Sequence, residues 1–306
     1  MTTWKLWAAL VQPPVRHPIY RRVVTRRAPR GQWRVVLAVA VCVLLVYGCY
    51  QASFTQSPVR LVLLSLTAQD VLVVFIGFNV AYGCLLAWSV SLTVARAREQ
   101  QIYDMLCLTP GGEPGALWAL GTGAMYQVRG FVWFRFIILL ISAVPMLALA
   151  VHLAIPLLLW GYGVLSGNST TTASPTYLQM VQDLLYGLTL AAAFYLSCVQ
   201  SVVMSLLLGM LTPESVGTSS AQVWTVGIFL LLQIFTFLLT FIFSLFFLPA
   251  FYEVLHLSGG WADLSVPLVR LLFFYALREG VNTLLWRGVE RQANGGWSAA
   301  FANRAV

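Results

Sequence analysis

The chain has 306 residues, of which 59% are apolar and 9% charged, against roughly 25% charged in an ordinary soluble domain. With a mean hydropathy of +0.82, its polar side chains are too few to coat a body of this size, which excludes a water-soluble globular protein and makes lipid the solvent. The net charge of +8, from 18 basic and 10 acidic residues, then reads as topology rather than as a nucleic-acid footprint, because arginine placement orients a membrane chain.

The chain opens with a short apolar run, Trp7 to Val11, that ends in Pro13-Pro14 and lacks a small-residue cleavage site, so it is expected to be retained rather than removed as a signal peptide. Next comes His17 to Arg27, where the apolar pairs Ile19-Tyr20 and Val23-Val24 alternate with the arginine pairs Arg21-Arg22 and Arg26-Arg27. A four-residue repeat of this kind predicts a helix with one apolar and one basic face. Such a helix lies in the headgroup layer with its arginines on anionic phosphates and its apolar face in the acyl boundary. The same arginines also serve as a plain positive-inside signal. Residues 1–32 are thus expected to be a cytoplasmic tail carrying an amphipathic interfacial elbow.

Six apolar segments follow, at about Trp33–Tyr50, Val71–Ala95, Phe131–Leu159, Tyr177–Leu211, Gln222–Leu248 and Val266–Trp286. About 20 apolar residues cross a bilayer as one helix, so the expected fold is an all-α integral membrane protein with six transmembrane helices over 33–289 and a cytoplasmic tail at 290–306. Local punctuation agrees. Thr67-Ala68-Gln69-Asp70 reads as a capping box opening the second span, Ser174-Pro175 opens the fourth, and Pro213 is expected to close it. Threading the spans with the amino terminus inside leaves only Arg60 and Arg270 of the 18 basic residues outside. The positive-inside rule therefore puts both termini in the cytoplasm of a multi-pass plasma-membrane protein. The outer connections are then Gln51–Gln69, Trp160–Thr176 and Pro249–Leu264.

The inner loop at 96–130 begins with helix-compatible residues and reaches a hard stop at Pro110-Gly111-Gly112. Ile102, Met105, Leu106 and Leu108 form an apolar strip, with Arg98, Glu99 and Asp104 elsewhere on the surface, a pattern suited to docking a soluble partner. In the last span, Arg278-Glu279 and Asn282 interrupt Leu271–Leu285. Ionisable residues at depth are functional-site candidates, and Asp183 in span four belongs with them. Arg278 and Glu279 point about 100° apart on a helix, so each needs its own partner. The competing reading places them near the inner interface, with Arg278 snorkelling.

Catalytic chemistry is hard to find. Lys5 is the only lysine and lies outside any phosphate-binding loop, so ATP hydrolysis has to come from a partner. His17, His152 and His256 form no metal-binding pair, and the five cysteines show no C-x-x-C spacing. No metal or cofactor is expected in this chain. Gly77 with Ala81 and Gly187 with Ala191 are small-residue pairs one turn apart that permit close helix approach.

The segment Arg96–Gly112 resembles the cytoplasmic coupling motif of ABC transporter permeases of the type-2 exporter class. The motif's basic residue falls on Arg98, its second glutamate on Glu99, its acidic position on Asp104 after Tyr103, its apolar block on Met105–Leu108, and its close on Thr109-Pro110. Ala97 replaces the first glutamate and Gln101-Ile102 replace a Gly-Thr pair. His17-Pro18 followed by Arg21–Arg30 is similar to the family's Asn-Pro opening and basic elbow, with Val23 in the acidic position. The resemblance implies a second permease copy or paralogue and two ATP-binding subunits carrying ATP and magnesium. It assigns the ATPase contact to Arg98, Glu99, Tyr103, Asp104, Leu106, Leu108, Thr109 and Pro110, and the elbow to Arg21, Arg22, Arg26 and Arg27. A non-transporting scaffold or anchor subunit of a larger membrane complex is the alternative, favoured by the motif's departures and by few polar residues lining the spans. An intramembrane enzyme using Asp183 and Glu279 is the third.

Overall fold

A computed structural model of the protein describes residues 2–12, 18–25, 68–100, 112–128, 131, 133–136, 138, 175–215, 220–254 and 260–302. The expected first span, most of the third, Arg26, Arg27 and the coupling residues Tyr103, Asp104, Leu106, Leu108, Thr109 and Pro110 lie outside these. Among the described residues the structure is almost entirely helical, without strands. The elements are α1 (Thr2–Val11), α2 (Pro18–Thr25), α3 (Ala68–Glu99), α4 (Gly112–Gln127), α5 (Pro175–Ser215), α6 (Ala221–Ile242), a π turn (Phe243–Phe247), α7 (Leu248–Val254) and α8 (Gly260–Ala302).

Among the described residues, three stretches are long and apolar enough to cross a bilayer: Gly77–Glu99, Ala191–Pro213 and Ala221–Glu253. Their burial differs. The first two are 72% and 67% buried, whereas the third is 17% buried and turns Leu231, Phe235, Leu238, Phe241 and Phe246 outward. Such a face is unsustainable in water and ordinary in lipid. The chain is a membrane-embedded helical protein.

Local signals set most helix starts. α3 begins directly after the expected cap Thr67, and α5 begins at Pro175, whose fixed φ suits a first turn. Ends are less simple. Pro213 does not close α5; it sits in the last turn, and the helix continues to Ser215. A proline removes the bond to the carbonyl four residues back and presses its ring on that carbonyl, and only two further residues follow Pro213 before α5 ends. Pro249 likewise does not open a loop, because helical structure runs through it to Val254. Its ring would press on the Leu245 carbonyl, and the π turn lies at that place, with the Leu248 N–H donating to the Phe243 carbonyl. The sixth apolar segment is the middle of the 43-residue α8, which also takes in Pro267 and residues beyond Trp286.

The chain divides into two compact units: Met1–Phe131, Val199–Ile234 and Glu279–Val306 make one, and Val132–Cys198 with Phe235–Arg278 the other. In the first unit, Cys84, Met204, Leu208 and Phe229 form a buried core with Val80, Val226, Val281 and Leu285 packed against it. Glycines allow the close approach. A Cβ on Gly209 would meet Val90 Cβ at 2.6 Å, and one on Gly83 would collide with the Phe229 ring. In the second unit, Phe243 stacks on Phe273 at 3.9 Å between ring centroids, and Tyr252 and Ser265 share a hydroxyl hydrogen bond of 2.7 Å.

Candidate functional site

α2 is amphipathic, as its repeat predicts: Tyr20 and Val23 are buried, while Arg21 and Arg22 are exposed. Its apolar face lies on protein, however, not in the acyl boundary. α4 presents Gly123 to it, where an added Cβ would touch Val23 Cβ at 3.0 Å, and Tyr20 meets Tyr126 edge-on at 6.0 Å. Burial, then the neighbouring Tyr126, raises the Tyr20 hydroxyl above its ordinary pKa. The Thr25 hydroxyl donates back to the carbonyls of Arg21 and Arg22, at 2.9 and 3.2 Å, securing the end of the helix.

α1 was legible only as a short apolar run. Thr3, Leu6 and Leu10, spaced at i, i+3 and i+7, form its buried stripe. Both ends are held by polar bonds. At the carboxyl end, the Tyr126 hydroxyl donates to the Leu10 carbonyl at 3.0 Å and the Val11 carbonyl at 3.4 Å. At the amino end, the Thr3 N–H donates to Glu279 Oε1 at 3.1 Å. Asn282 Nδ2 donates to Thr3 Oγ1 at 3.1 Å and to the Gln200 carbonyl at 3.4 Å, and the Thr283 hydroxyl donates to Thr2 Oγ1 at 3.3 Å. The first N–H groups of a helix have no partner within it and carry partial positive charge, so a carboxylate from another helix caps α1.

Arg278 is fully buried and does not snorkel. Its Nη1 donates to Ser197 O at 3.1 Å and Ser197 Oγ at 3.0 Å, while the guanidinium lies 5.0 Å from the Phe237 ring centroid and 4.6 Å from that of Phe274. Weak hydration and a flat face that stacks on aromatic rings suit arginine to this position. Arg278 and Glu279 thus reach different neighbours. Asp183 lies on α5, and its side chain is outside the described residues; the carboxylate of Glu279 meets α1.

Arg98 and Glu99 occupy the last turn of α3, Arg98 partly buried and Glu99 exposed. Further back, α3 is tied to α4 by the Ser89 hydroxyl, which donates to the Ala124 carbonyl at 3.4 Å. α4 is the unforeseen element here. The elbow and α3, remote in sequence, both pack on it, and Trp118 of α4 meets Trp286 of α8 edge-on at 6.3 Å.

Polar side chains between the spans also exceed what the sequence suggested. Ser201 Oγ of α5 accepts from Asn79 Nδ2 of α3 at 3.3 Å and from Gln233 Nε2 of α6 at 2.9 Å. The Thr225 hydroxyl of α6 donates to Ser91 Oγ of α3 at 3.0 Å. All five are buried. A scan of apolar runs passes over them, because isolated serines, threonines and amides barely change local hydropathy, yet their bonds fix one helix register. Among the described residues no group of three His, Cys, Asp or Glu side chains could hold a metal.

No family model, no curated protein and no solved structure matches this chain.

Proposed function

We propose that this protein is the membrane-spanning permease subunit of an ATP-driven exporter of the type-2 ABC class. It would cross the plasma membrane six times with both termini in the cytoplasm, and would act with a second permease copy or paralogue and two ATP-binding subunits that bring ATP and magnesium. The observation that carries this reading is the convergence on α4: α2 packs on it through Tyr20 and Val23, and α3 is bonded to it through Ser89. A push by an ATPase on Arg98, Glu99 and the following Tyr103–Pro110 would therefore pass from α3 to the elbow through one helix. Alternating access then requires helices to slide or tilt, breaking and remaking bonds such as Asn79–Ser201–Gln233.

A second reading is the non-transporting scaffold. The observation in its favour is the same polar cluster, since Asn79, Ser201 and Gln233 direct hydrogen bonds at one another and lock α3, α5 and α6 together.

Purification in mild detergent, comparing wild type with a Glu99→Ala plus Asp104→Ala variant and identifying bound proteins by mass, separates the two. An ATP-binding subunit recovered with the wild type and lost from the variant is the outcome expected of a permease. Recovery of other membrane proteins, with no ATP-binding subunit, would assign the chain to the scaffold class.

A further inference from the structure

A cavity of about 250 Å³ opens at the side of α1, lined by Thr2, Lys5, Leu6 and Trp286. Thr2, Lys5 and Leu6 stand at i, i+3 and i+4, so they share one face of α1. The stripe Glu279, Asn282, Thr283 and Trp286 lies on one face of α8, at i, i+3, i+4 and i+7, and the first three of these bond to Thr2 and Thr3. The cavity is therefore where the clasp between the two helices opens outward. Its walls are of two kinds. Lys5, the only lysine of the chain, and the Thr2 hydroxyl supply a cation and a hydrogen-bonding group; Leu6 and the indole of Trp286 supply apolar surface. Trp286 is held in place by its edge contact with Trp118, so this wall is preformed.

The position along α8 matters as much as the lining. Trp286 ends the apolar part of the helix, and the next exposed turns carry Arg287 and Arg291 against the single acid Glu290. Tryptophan at the end of an apolar segment followed by basic residues is the arrangement found at the headgroup level of a bilayer. The Glu279 carboxylate accepts the Thr3 N–H through Oε1, beside Thr2 at the end of the clasp away from Trp286, and Lys5 stands one turn along α1 from it.

We infer that this cavity is a binding site for the phosphate group of an anionic phospholipid, with Lys5 and Thr2 on the phosphate and Leu6 and Trp286 against the glycerol and upper acyl chain. A lipid is favoured over a free phosphate ion because half the lining is apolar and the cavity lies where the apolar part of α8 ends in Trp286 and gives way to the exposed Arg287 and Arg291. The site is separate from the arginines of α2 and does not depend on the permease reading.

Native mass spectrometry of the delipidated full chain tests the assignment, with titrations of phosphatidylglycerol, phosphatidylcholine and inorganic phosphate. One basic side chain near a phosphate is worth about fivefold in affinity, so the wild type should bind a first phosphatidylglycerol about fivefold more tightly than phosphatidylcholine. Lys5→Gln should abolish that preference and Lys5→Arg should keep it. Arg21→Gln with Arg22→Gln should also keep it, since those side chains are elsewhere. Retention of the preference in Lys5→Gln, or displacement of the lipid by inorganic phosphate at equal concentration, would overturn the proposal.

Discussion

Arg278 shows how a charge is kept inside a membrane protein. Its guanidinium lies against the adjoining rings of Phe237 and Phe274, whose centroids are 5.8 Å apart, and is bonded to Ser197, so aromatic surface and hydrogen-bond acceptors both engage it. Truncation should be costly for two reasons, the loss of charge-assisted hydrogen bonds and the void left beside the two rings at a fully buried position. Arg278→Ala is expected to lower unfolding stability in detergent by about 3 kcal/mol. Arg278→Met fills the same space without a charge to desolvate and should remain within about 1 kcal/mol of the wild type. Thermal unfolding of the two variants side by side measures both. An equal loss in both would show that the hydrogen bonds, not the packing, hold the site together.

Among the elements, α1 and α4 depend most on their surroundings. α1 has only ten residues, too few to be stable alone in water, and persists through Leu6 and Leu10 below and polar clasps at its two ends. Glu279→Ala removes the amino-terminal clasp and is expected to weaken docking by about 1 kcal/mol, the usual worth of a helix cap. Hydrogen exchange should then speed up over residues 2–11 and stay unchanged in α3 and α5. α4 contains Gly112, Gly115, Gly121 and Gly123 within sixteen residues, each lowering intrinsic helix propensity by about 1 kcal/mol relative to alanine. This is why the sequence reads as a loop there. Two of these glycines are what the fold uses. Gly121 admits Leu206 and Met210 of α5, and Gly123 admits Val23 of α2, so packing against the neighbouring helices outweighs poor propensity.

For the whole molecule, the difference in burial between α3, α5 and the α6–α7 stretch is the main organising fact. The apolar face of α6 has lipid as its natural environment, so a charge there has a depth-dependent cost. Leu238→Arg, at an exposed position in the middle of the most apolar helix, is expected to disfavour insertion by about 3 kcal/mol. Glycosylation-site mapping of inserted against uninserted chains reads this directly.

Composition alone placed the chain in a membrane, because a 59% apolar sequence with 9% charged residues has no folded form in water that hides its surface. Helix starts at Thr67-Ala68 and Ser174-Pro175 were also legible, since a cap or a proline acts within one turn. The alternation of arginine and apolar pairs correctly gave α2 two faces, yet it could not say that protein rather than lipid would cover the apolar one. Contacts between distant residues lay out of reach. The bond from Thr3 to Glu279 joins positions 276 apart, and the depth of Arg278 depends on Phe237 and Ser197 arriving on other helices. Local sequence sets which segments are helical and where they begin, through terms of about 1 kcal/mol that act over a turn. Only the tertiary structure decides which faces meet, because burial and buried hydrogen bonds are satisfied by whichever partners the packed chain brings together.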